Sequence, residues 1–156
     1  DLNAMPWGIL LLFGGGMSLA AAIQANGVAE FLGHQATAWQ GIPSWLLIIL
    51  VTTLVIFLTE LTSNTATAAT FIPILGGSAL GLGVHPYLLI VPAALAASWA
   101  FMLPVATPPN AIVFGSGYIT VADMRRAGLW LNLGGIALLT VFTYFVALPL
   151  LGVGVS

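Results

Sequence analysis

Long apolar runs separated by short polar clusters dominate the pattern along this chain of 156 residues. A helix needs about 20 apolar residues to cross a bilayer, and four stretches approach that length: 5–24, 45–80, 87–118 and 127–151. Three consecutive glycines interrupt the first stretch, which leaves open whether it spans or re-enters. The intervening residues 26–44 mix polar and aromatic side chains, as interfacial segments do. The pattern predicts a single all-α, polytopic transmembrane unit over residues 1–156.

Polar residues at membrane depth break the second stretch. Apolar sequence beginning at Trp45 gives way to the cluster Thr59–Thr67 and then resumes. This predicts a re-entrant hairpin over residues 45–80 with its tip at 63–65. We expect the glycines that begin at Gly76 to form the loop that follows the return arm.

The third stretch is broken by consecutive prolines. Pro108 and Pro109 cannot continue a helix but suit the first turn of a new one. We therefore predict a broken helix over 87–118, with an apolar arm from Leu88 to Leu103, unwound backbone near 105–108 and a half-helix from about Pro109. The fourth stretch, 127–151, is predicted to be the only uninterrupted span.

Composition excludes several classes of protein. The chain is 60% hydrophobic and only 4% charged, whereas a soluble domain carries about 25% charged residues. Two basic residues exclude nucleic-acid binding, and the lack of cysteine excludes thiolate metal sites and disulfides. Arg125 and Arg126 precede the last span, and the positive-inside tendency places that loop in the cytoplasm. We expect a multi-pass protein of the cytoplasmic (inner) membrane, and a piece of a longer one, because Asp1 replaces the usual Met.

Two polar clusters at membrane depth, Thr59–Thr67 and Ala106–Asn110, suggest a binding site. Irregular backbone in a bilayer is tolerated only where protein or water surrounds it, and paired helix breaks form the sites of many secondary transporters. Hydroxyl and amide oxygens of Thr59, Ser63 and Asn64, with carbonyls near Ala106, are the hard ligands that Na⁺ prefers. The alternative is that these side chains only hold helices together. Two clusters, each at a helix break, favour a site.

Charge considerations link anion and cation binding. No Lys or Arg lies in any of the four stretches, so a buried anion must be neutralised by N–H dipoles, polar side chains and bound cations. Glu60 is the one ionisable residue at depth, either a functional carboxylate or, as we favour, a structural group that braces the hairpin tip. Ser63 and Ser116 have no activating His nearby in sequence, which disfavours an intramembrane hydrolase; no enzymatic activity is predicted.

Two long motifs resemble those of the divalent anion/sodium symporter family, the INDY-type dicarboxylate carriers. The first is Leu58-Thr59-Glu60-Leu61-Thr62-Ser63-Asn64-Thr65-Ala66, which is similar to that family's Ser-Asn-Thr hairpin tip. The second, Met102-Leu103-Pro104-Val105-Ala106-Thr107-Pro108-Pro109-Asn110-Ala111, is similar to its unwound loop. Leu12-Phe13-Gly14-Gly15-Gly16 also matches, so the resemblance covers nearly the whole chain in order.

The resemblance implies a carrier of two inverted repeats, of which this chain would be the C-terminal one. It implies that a substrate carboxylate contacts a first set of residues: Asn64, Thr65, Thr107 and Pro108. It implies one Na⁺ held by a second set, with the Thr62 and Ala106 contacts made through backbone carbonyls: Thr59, Thr62, Asn64 and Ala106. The implied partners are the lipid bilayer, the missing N-terminal repeat and, in the full carrier, a second copy in a homodimer.

The predicted function is Na⁺-coupled symport of a succinate-like C4-dicarboxylate, with Na⁺ as coupling ion and no organic cofactor. A carrier of citrate, sulfate or another anion on the same scaffold is the first alternative. An anion-conducting pore and a purely structural subunit are alternatives from other classes.

Overall fold

The computed structural model describes residues 42–154, together with 14–15, 18, 21–22 and 25–27. The predictions for the glycine-interrupted stretch 5–24 and the interfacial segment 26–44 therefore lie almost wholly outside the described residues. The described helices are α1 (Ser44–Thr59), α2 (Asn64–Gly81), α3 (Tyr87–Ala96), α4 (Pro108–Gly115) and α5 (Val121–Phe142), followed by a π-helical turn (Thr143–Ala147) and α6 (Leu148–Leu150). All regular structure in these ranges is helical, which confirms the predicted all-α class.

Helix α3 lies at the centre of the described part, packed against both α1 and α2, while α1 also packs against α5. Buried aliphatic side chains recur every three or four residues along α1, which places them on one helix face. They share a core with small alanines of α3, whose short side chains let the helices approach closely. The principal members are Ile48, Val55, Ile56, Leu89, Ala93, Ala96 and Leu148.

The return arm of the predicted hairpin is longer than expected. We predicted a loop from Gly76, but α2 continues without a break to Gly81, and that prediction is wrong. A Cβ on Gly76 would lie only 3.1 Å from Cδ1 of Ile90. The glycine therefore lets α2 pack closely on α3, and the turn comes later, at Gly83, which has a positive φ of 69°.

The apolar arm of the third stretch is shorter than expected. A helix was predicted from Leu88 to Leu103, but α3 ends at Ala96, so that boundary is wrong. Residues 97–107 form turns and extended backbone, a longer unwound segment than the predicted 105–108. We call residues 97–107 the unwound segment. Side chains from outside the segment bind its amides at residues 101–103 and its carbonyls at Ala97, Ala100 and Leu103, which explains why an apolar sequence does not continue as helix.

One helix among the described residues is long and apolar enough to cross a membrane, and it runs from Val121 to Leu150. It begins before the predicted start at 127 because Thr120 and Asp123 form a capping box. The Thr120 hydroxyl accepts from the Asp123 amide at 3.2 Å, and the Asp123 carboxylate accepts from the Thr120 amide at 3.0 Å. The helix start is thus set by polar capping rather than by the onset of apolar sequence.

Candidate functional site

Three oxygen atoms from separate elements meet where α1 ends. The Thr59 hydroxyl oxygen lies 2.8 Å from Oδ1 of Asn64 and 2.9 Å from the carbonyl oxygen of Ala97. Thr59 is the last residue of α1, Asn64 is the first of α2, and Ala97 follows α3. Thr59 is fully buried and Ala97 is 1% exposed. We call these three atoms the oxygen cluster.

The oxygen cluster has more acceptors than protons. A threonine hydroxyl carries a single proton, whereas the Asn64 and Ala97 oxygens are both acceptors. The hydroxyl therefore donates to one of them and leaves the other facing oxygen. Neutral hydroxyl, amide and carbonyl oxygens are hard ligands suited to a hard cation. Among the described residues, no group of three His, Cys, Asp or Glu side chains offers an alternative metal site.

The first turn of α2 adjoins the oxygen cluster and exposes backbone donors. Asn64 and Thr65 are its first two residues, and amides in a first turn have no carbonyl one turn earlier to bind. The Ser63 hydroxyl accepts from the Ala66 amide at 3.1 Å, so it caps the next position. The amides of Asn64 and Thr65 thus lie at the positive end of an 18-residue helix, which favours an anion there.

The start of α4 offers fewer backbone N–H donors than the start of α2. Pro108 and Pro109 occupy its first two positions and have no backbone N–H. The next amide, of Asn110, donates to the Thr107 hydroxyl at 3.3 Å. Thr107 accepts this bond and keeps its own proton, so its hydroxyl can still donate to an anion. At this helix start the Thr107 hydroxyl can therefore act as a donor, whereas Pro108 offers only an apolar surface.

Glu60 is a structural acceptor, but it does not brace the hairpin as we expected. Its carboxylate, 3% exposed, accepts hydrogen bonds from three consecutive amides of the unwound segment. These bonds are 2.7 Å from Phe101, 2.9 and 3.0 Å from Met102, and 3.1 Å from Leu103. Asn132 of α5 adds a fourth donor at 2.7 Å. Glu60 therefore holds the backbone after α3 in a non-helical conformation.

The remaining predicted site residues are placed as follows. The Thr62 hydroxyl is engaged with the Leu58 carbonyl at 3.1 Å and with the Thr67 hydroxyl at 2.5 Å. Ala106 is buried in a turn, where its amide donates to the Leu103 carbonyl at 3.2 Å. The contacts of these two residues are thus local ones. The predicted residues that the structure brings together are Thr59 and Asn64.

Sequence reasoning missed one member of the oxygen cluster, Ala97, and the residue that positions Glu60, Asn132. Ala97 belongs to the oxygen cluster through its backbone carbonyl. No side-chain pattern within an apolar run indicates which backbone carbonyl will join such a cluster. Asn132 carries a clearer signal, since an amide inside an otherwise apolar span must find a hydrogen-bonding partner. Asn110 belongs to the second motif. Its side-chain amide nitrogen donates to the Ala100 and Leu103 carbonyls at 3.1 and 3.0 Å. It is a second anchor of the unwound segment.

Comparison with known proteins settles the family. Residues 2–152 match the model of the sodium:sulfate symporter transmembrane region. The chain belongs to the sodium:sulfate symporter family. This confirms the resemblance carried by the two motifs. Membership in this family, together with the apolar helix Val121–Leu150, points to a membrane protein. The family and the relatives are named for transport rather than for an enzymatic activity.

Two curated relatives are similar over nearly all of the chain. One is a sodium-dependent dicarboxylate transporter of Staphylococcus saprophyticus, 48% identical over 152 residues, or 97% of this chain. The other is a sodium-dependent dicarboxylate transporter of Staphylococcus aureus, 47% identical over the same length. The chain spans 29% of the length of each relative.

Proposed function

We propose that the complete protein is a Na⁺-coupled symporter of a C4-dicarboxylate such as succinate, and that this chain is its C-terminal repeat. The observation that carries the proposal is the oxygen cluster of Thr59, Asn64 and Ala97 beside the first turn of α2. It puts candidate cation ligands next to candidate anion donors. Family membership and the printed names of the two relatives support the same function.

The cation is proposed to bind at the oxygen cluster. The structure suggests the Thr59 hydroxyl, the Asn64 amide oxygen and the Ala97 carbonyl as ligands. The family resemblance implies Thr59 and Asn64 as well and adds the carbonyls of Thr62 and Ala106. The Glu60 carboxylate belongs to the residue after Thr59, and a carboxylate nearby favours a cation. Na⁺ suits this set because every ligand is a hard oxygen.

The dicarboxylate is proposed to bind across the two helix starts. One carboxylate accepts from the amides of Asn64 and Thr65 and from the Thr107 hydroxyl, with Pro108 against its apolar part. In the part of the chain that the structure describes, Lys or Arg occurs only at Arg125 and Arg126, in the first turns of α5. A co-bound Na⁺ therefore offsets anion charge that no nearby Lys or Arg meets.

Helix lengths support the proposed membrane topology. At 1.5 Å per residue, the 16 residues of α1 cover about 24 Å and the 10 residues of α3 about 15 Å. Both are shorter than the roughly 30 Å hydrocarbon core. We propose that α1 and α2 form a re-entrant hairpin with its tip at 63–65, and that α3, the unwound segment and α4 form one broken helix. The N-terminal repeat and a second copy in a homodimer complete the carrier.

The test is uptake by the complete protein purified into proteoliposomes. Radiolabelled succinate uptake is measured with an inward Na⁺ gradient, and matched vesicles carry a K⁺ gradient instead. Saturable uptake that requires Na⁺ supports the proposal. Competition by unlabelled citrate and sulfate identifies the preferred anion.

The alternatives give different results. Stronger competition by citrate or sulfate than by succinate would assign another anion to the same carrier. Non-saturating anion flux in either gradient would indicate a pore. No flux of any of these anions would leave a structural role and overturn the proposal.

A further inference from the structure

We propose that Glu60 and Asn132 form a positioning clamp that holds the unwound segment in the geometry needed to bind Na⁺. Neither residue is a proposed ligand; both act on the oxygen cluster through the backbone. The inference rests on the proposed function, since it concerns the affinity of the proposed cation site. It assigns a role to the last long helix, which contributes no residue to the candidate site itself.

The acceptor half of the clamp is Glu60. Helix formation would require the amides of Phe101, Met102 and Leu103 to bind carbonyls one turn earlier. Instead all three donate to the Glu60 carboxylate at 2.7 to 3.1 Å. A charged acceptor makes stronger hydrogen bonds than a carbonyl, particularly when it is buried. The carboxylate therefore competes with helix formation at these three residues.

The donor half of the clamp is Asn132 of α5. It is fully buried, and its amide nitrogen lies 2.7 Å from Oε1 of Glu60. This bond spans 72 positions of the chain and fixes the carboxylate from the side of the last helix. Without it, one strong donor to a buried carboxylate is lost, and the carboxylate is free to rotate away from the backbone amides.

The surface of α5 around Asn132 is shaped to receive the unwound segment. Gly128 and Gly135 lie one turn on either side of Asn132 and share its face. A Cβ on Gly128 would lie 2.5 Å from the Phe101 carbonyl oxygen, and one on Gly135 would overlap the Trp99 indole. The Trp99 indole N–H also donates to the Leu131 carbonyl at 3.1 Å. The clamp thus seats the segment directly on α5.

The clamp adjoins the oxygen cluster on both sides. Thr59 immediately precedes Glu60, and Ala97 lies four positions before Phe101. Rotation of the Phe101–Leu103 backbone toward helical geometry would draw the Ala97 carbonyl into helical pairing, because the Phe101 amide, once released from Glu60, is its partner one turn ahead. Breaking the clamp therefore removes a cation ligand without touching any ligand side chain.

The experiment uses the complete protein in nanodiscs and in proteoliposomes. The variants are Glu60→Gln, which keeps the size but replaces one acceptor oxygen with a donor, and Asn132→Leu, which keeps the bulk but removes the amide. Thr52→Val is the matched control, since its fully buried hydroxyl has no hydrogen-bonding partner among the described residues. Amide hydrogen exchange at residues 101–103 and the Na⁺ concentration for half-maximal uptake are measured for each.

We expect exchange at residues 101–103 to be about tenfold faster, and the half-saturating Na⁺ concentration about tenfold higher, in both clamp variants, as for the loss of one charged hydrogen bond. The control is expected to match the wild type in both. A higher Na⁺ requirement with much of the maximal rate retained at saturating Na⁺ separates positioning from a general loss of folded protein. If Glu60→Gln does not fold, Asn132→Leu alone carries the test.

Unchanged exchange at residues 101–103 in Asn132→Leu would overturn the clamp. So would faster exchange with an unchanged Na⁺ requirement, since Glu60 and Asn132 would then be purely structural. The proposed function fails separately. Wild-type uptake that needs no Na⁺ contradicts the proposed function and the clamp together, whereas an unchanged Na⁺ requirement in the variants of a Na⁺-dependent carrier overturns the clamp alone.

Discussion

The hydroxyl of Thr59 lies 2.9 Å from the carbonyl oxygen of Ala97, 38 positions further along the chain. Thr59 ends α1 just before the polar turn, and Ala97 begins the unwound segment just after α3. One short contact therefore brings two irregular parts of the described chain, the polar turn after α1 and the unwound segment, to the same point. A proposed coupling ion at this point contacts both, which gives a physical reason for the two breaks to occur in one chain.

Because the unwound segment lies directly against α5, adding a single methyl group at Gly128 is expected to reduce the stability of the protein. Gly128→Ala places a Cβ 2.5 Å from the Phe101 carbonyl oxygen, so backbone must move. We expect the substitution to destabilise the protein by about 1–3 kcal/mol, the range for overpacking a well-packed site. Thermal unfolding of the complete protein in detergent measures this as a lower midpoint.

Gly134→Ala is the matched control on the same helix. A Cβ there meets no atom within 4 Å in the part of the chain that the structure describes, and alanine favours helix over glycine by about 1 kcal/mol. Its midpoint is expected to equal or exceed that of the wild type. Equal midpoints for Gly128→Ala and the wild type would show that the segment does not lie on α5 as described.

Asn110 is expected to matter for stability more than the prolines beside it. Its side-chain amide donates to the Ala100 and Leu103 carbonyls, and each lost hydrogen bond costs about 1 kcal/mol of stability. Pro109 lies in the first turn of α4, where proline is well tolerated. Thermal unfolding should therefore show a clear loss for Asn110→Ala and little change for Pro109→Ala. The reverse order would show that the prolines, rather than Asn110, keep the segment unwound.

The family, the helical class and most helix starts could be predicted from the sequence because local signals specify them. The polar cluster at Thr59–Thr67 separates α1 from α2, and the prolines at 108 and 109 mark the start of α4. Thr107 caps that helix with its own side chain. Such features depend on residues that are neighbours in the chain, so the pattern alone predicts them.

Other features depend on residues that are distant in the chain, and the sequence did not predict them. The helix from Leu88 ends at Ala96 because Glu60 and Asn110 bind backbone groups of the following residues. The helix α2 passes through Gly76 because Ile90 lies against it. In the sequence a glycine suggests a loop, whereas in the folded protein Gly76 allows close helix packing. The Ala97 carbonyl offers no side-chain signal at all.

Asn64→Asp tests the proposed anion contact with almost no change in size. A carboxylate at this position repels a substrate carboxylate at short range, so uptake of succinate is expected to fall to background. Folding should survive, because an acidic residue in the first turn of a helix is favourable by about 0.3–1 kcal/mol. Size-exclusion profile and thermal midpoint check folding, and radiolabelled succinate uptake checks transport. Near-normal uptake would remove Asn64 from the substrate site.

The most direct test of the oxygen cluster compares two buried threonines of α1. Thr59→Val and Thr52→Val each remove one hydroxyl with little change in volume, but only the Thr59 hydroxyl belongs to the oxygen cluster. In the part of the chain that the structure describes, the Thr52 hydroxyl has no hydrogen-bonding partner. The measurement is the Na⁺ concentration for half-maximal succinate uptake in proteoliposomes. We predict a rise of about tenfold for Thr59→Val, as for the loss of one ligand worth about 1.4 kcal/mol, and wild-type values for Thr52→Val. Identical Na⁺ activation curves for Thr59→Val and the wild type would contradict the proposed cation site.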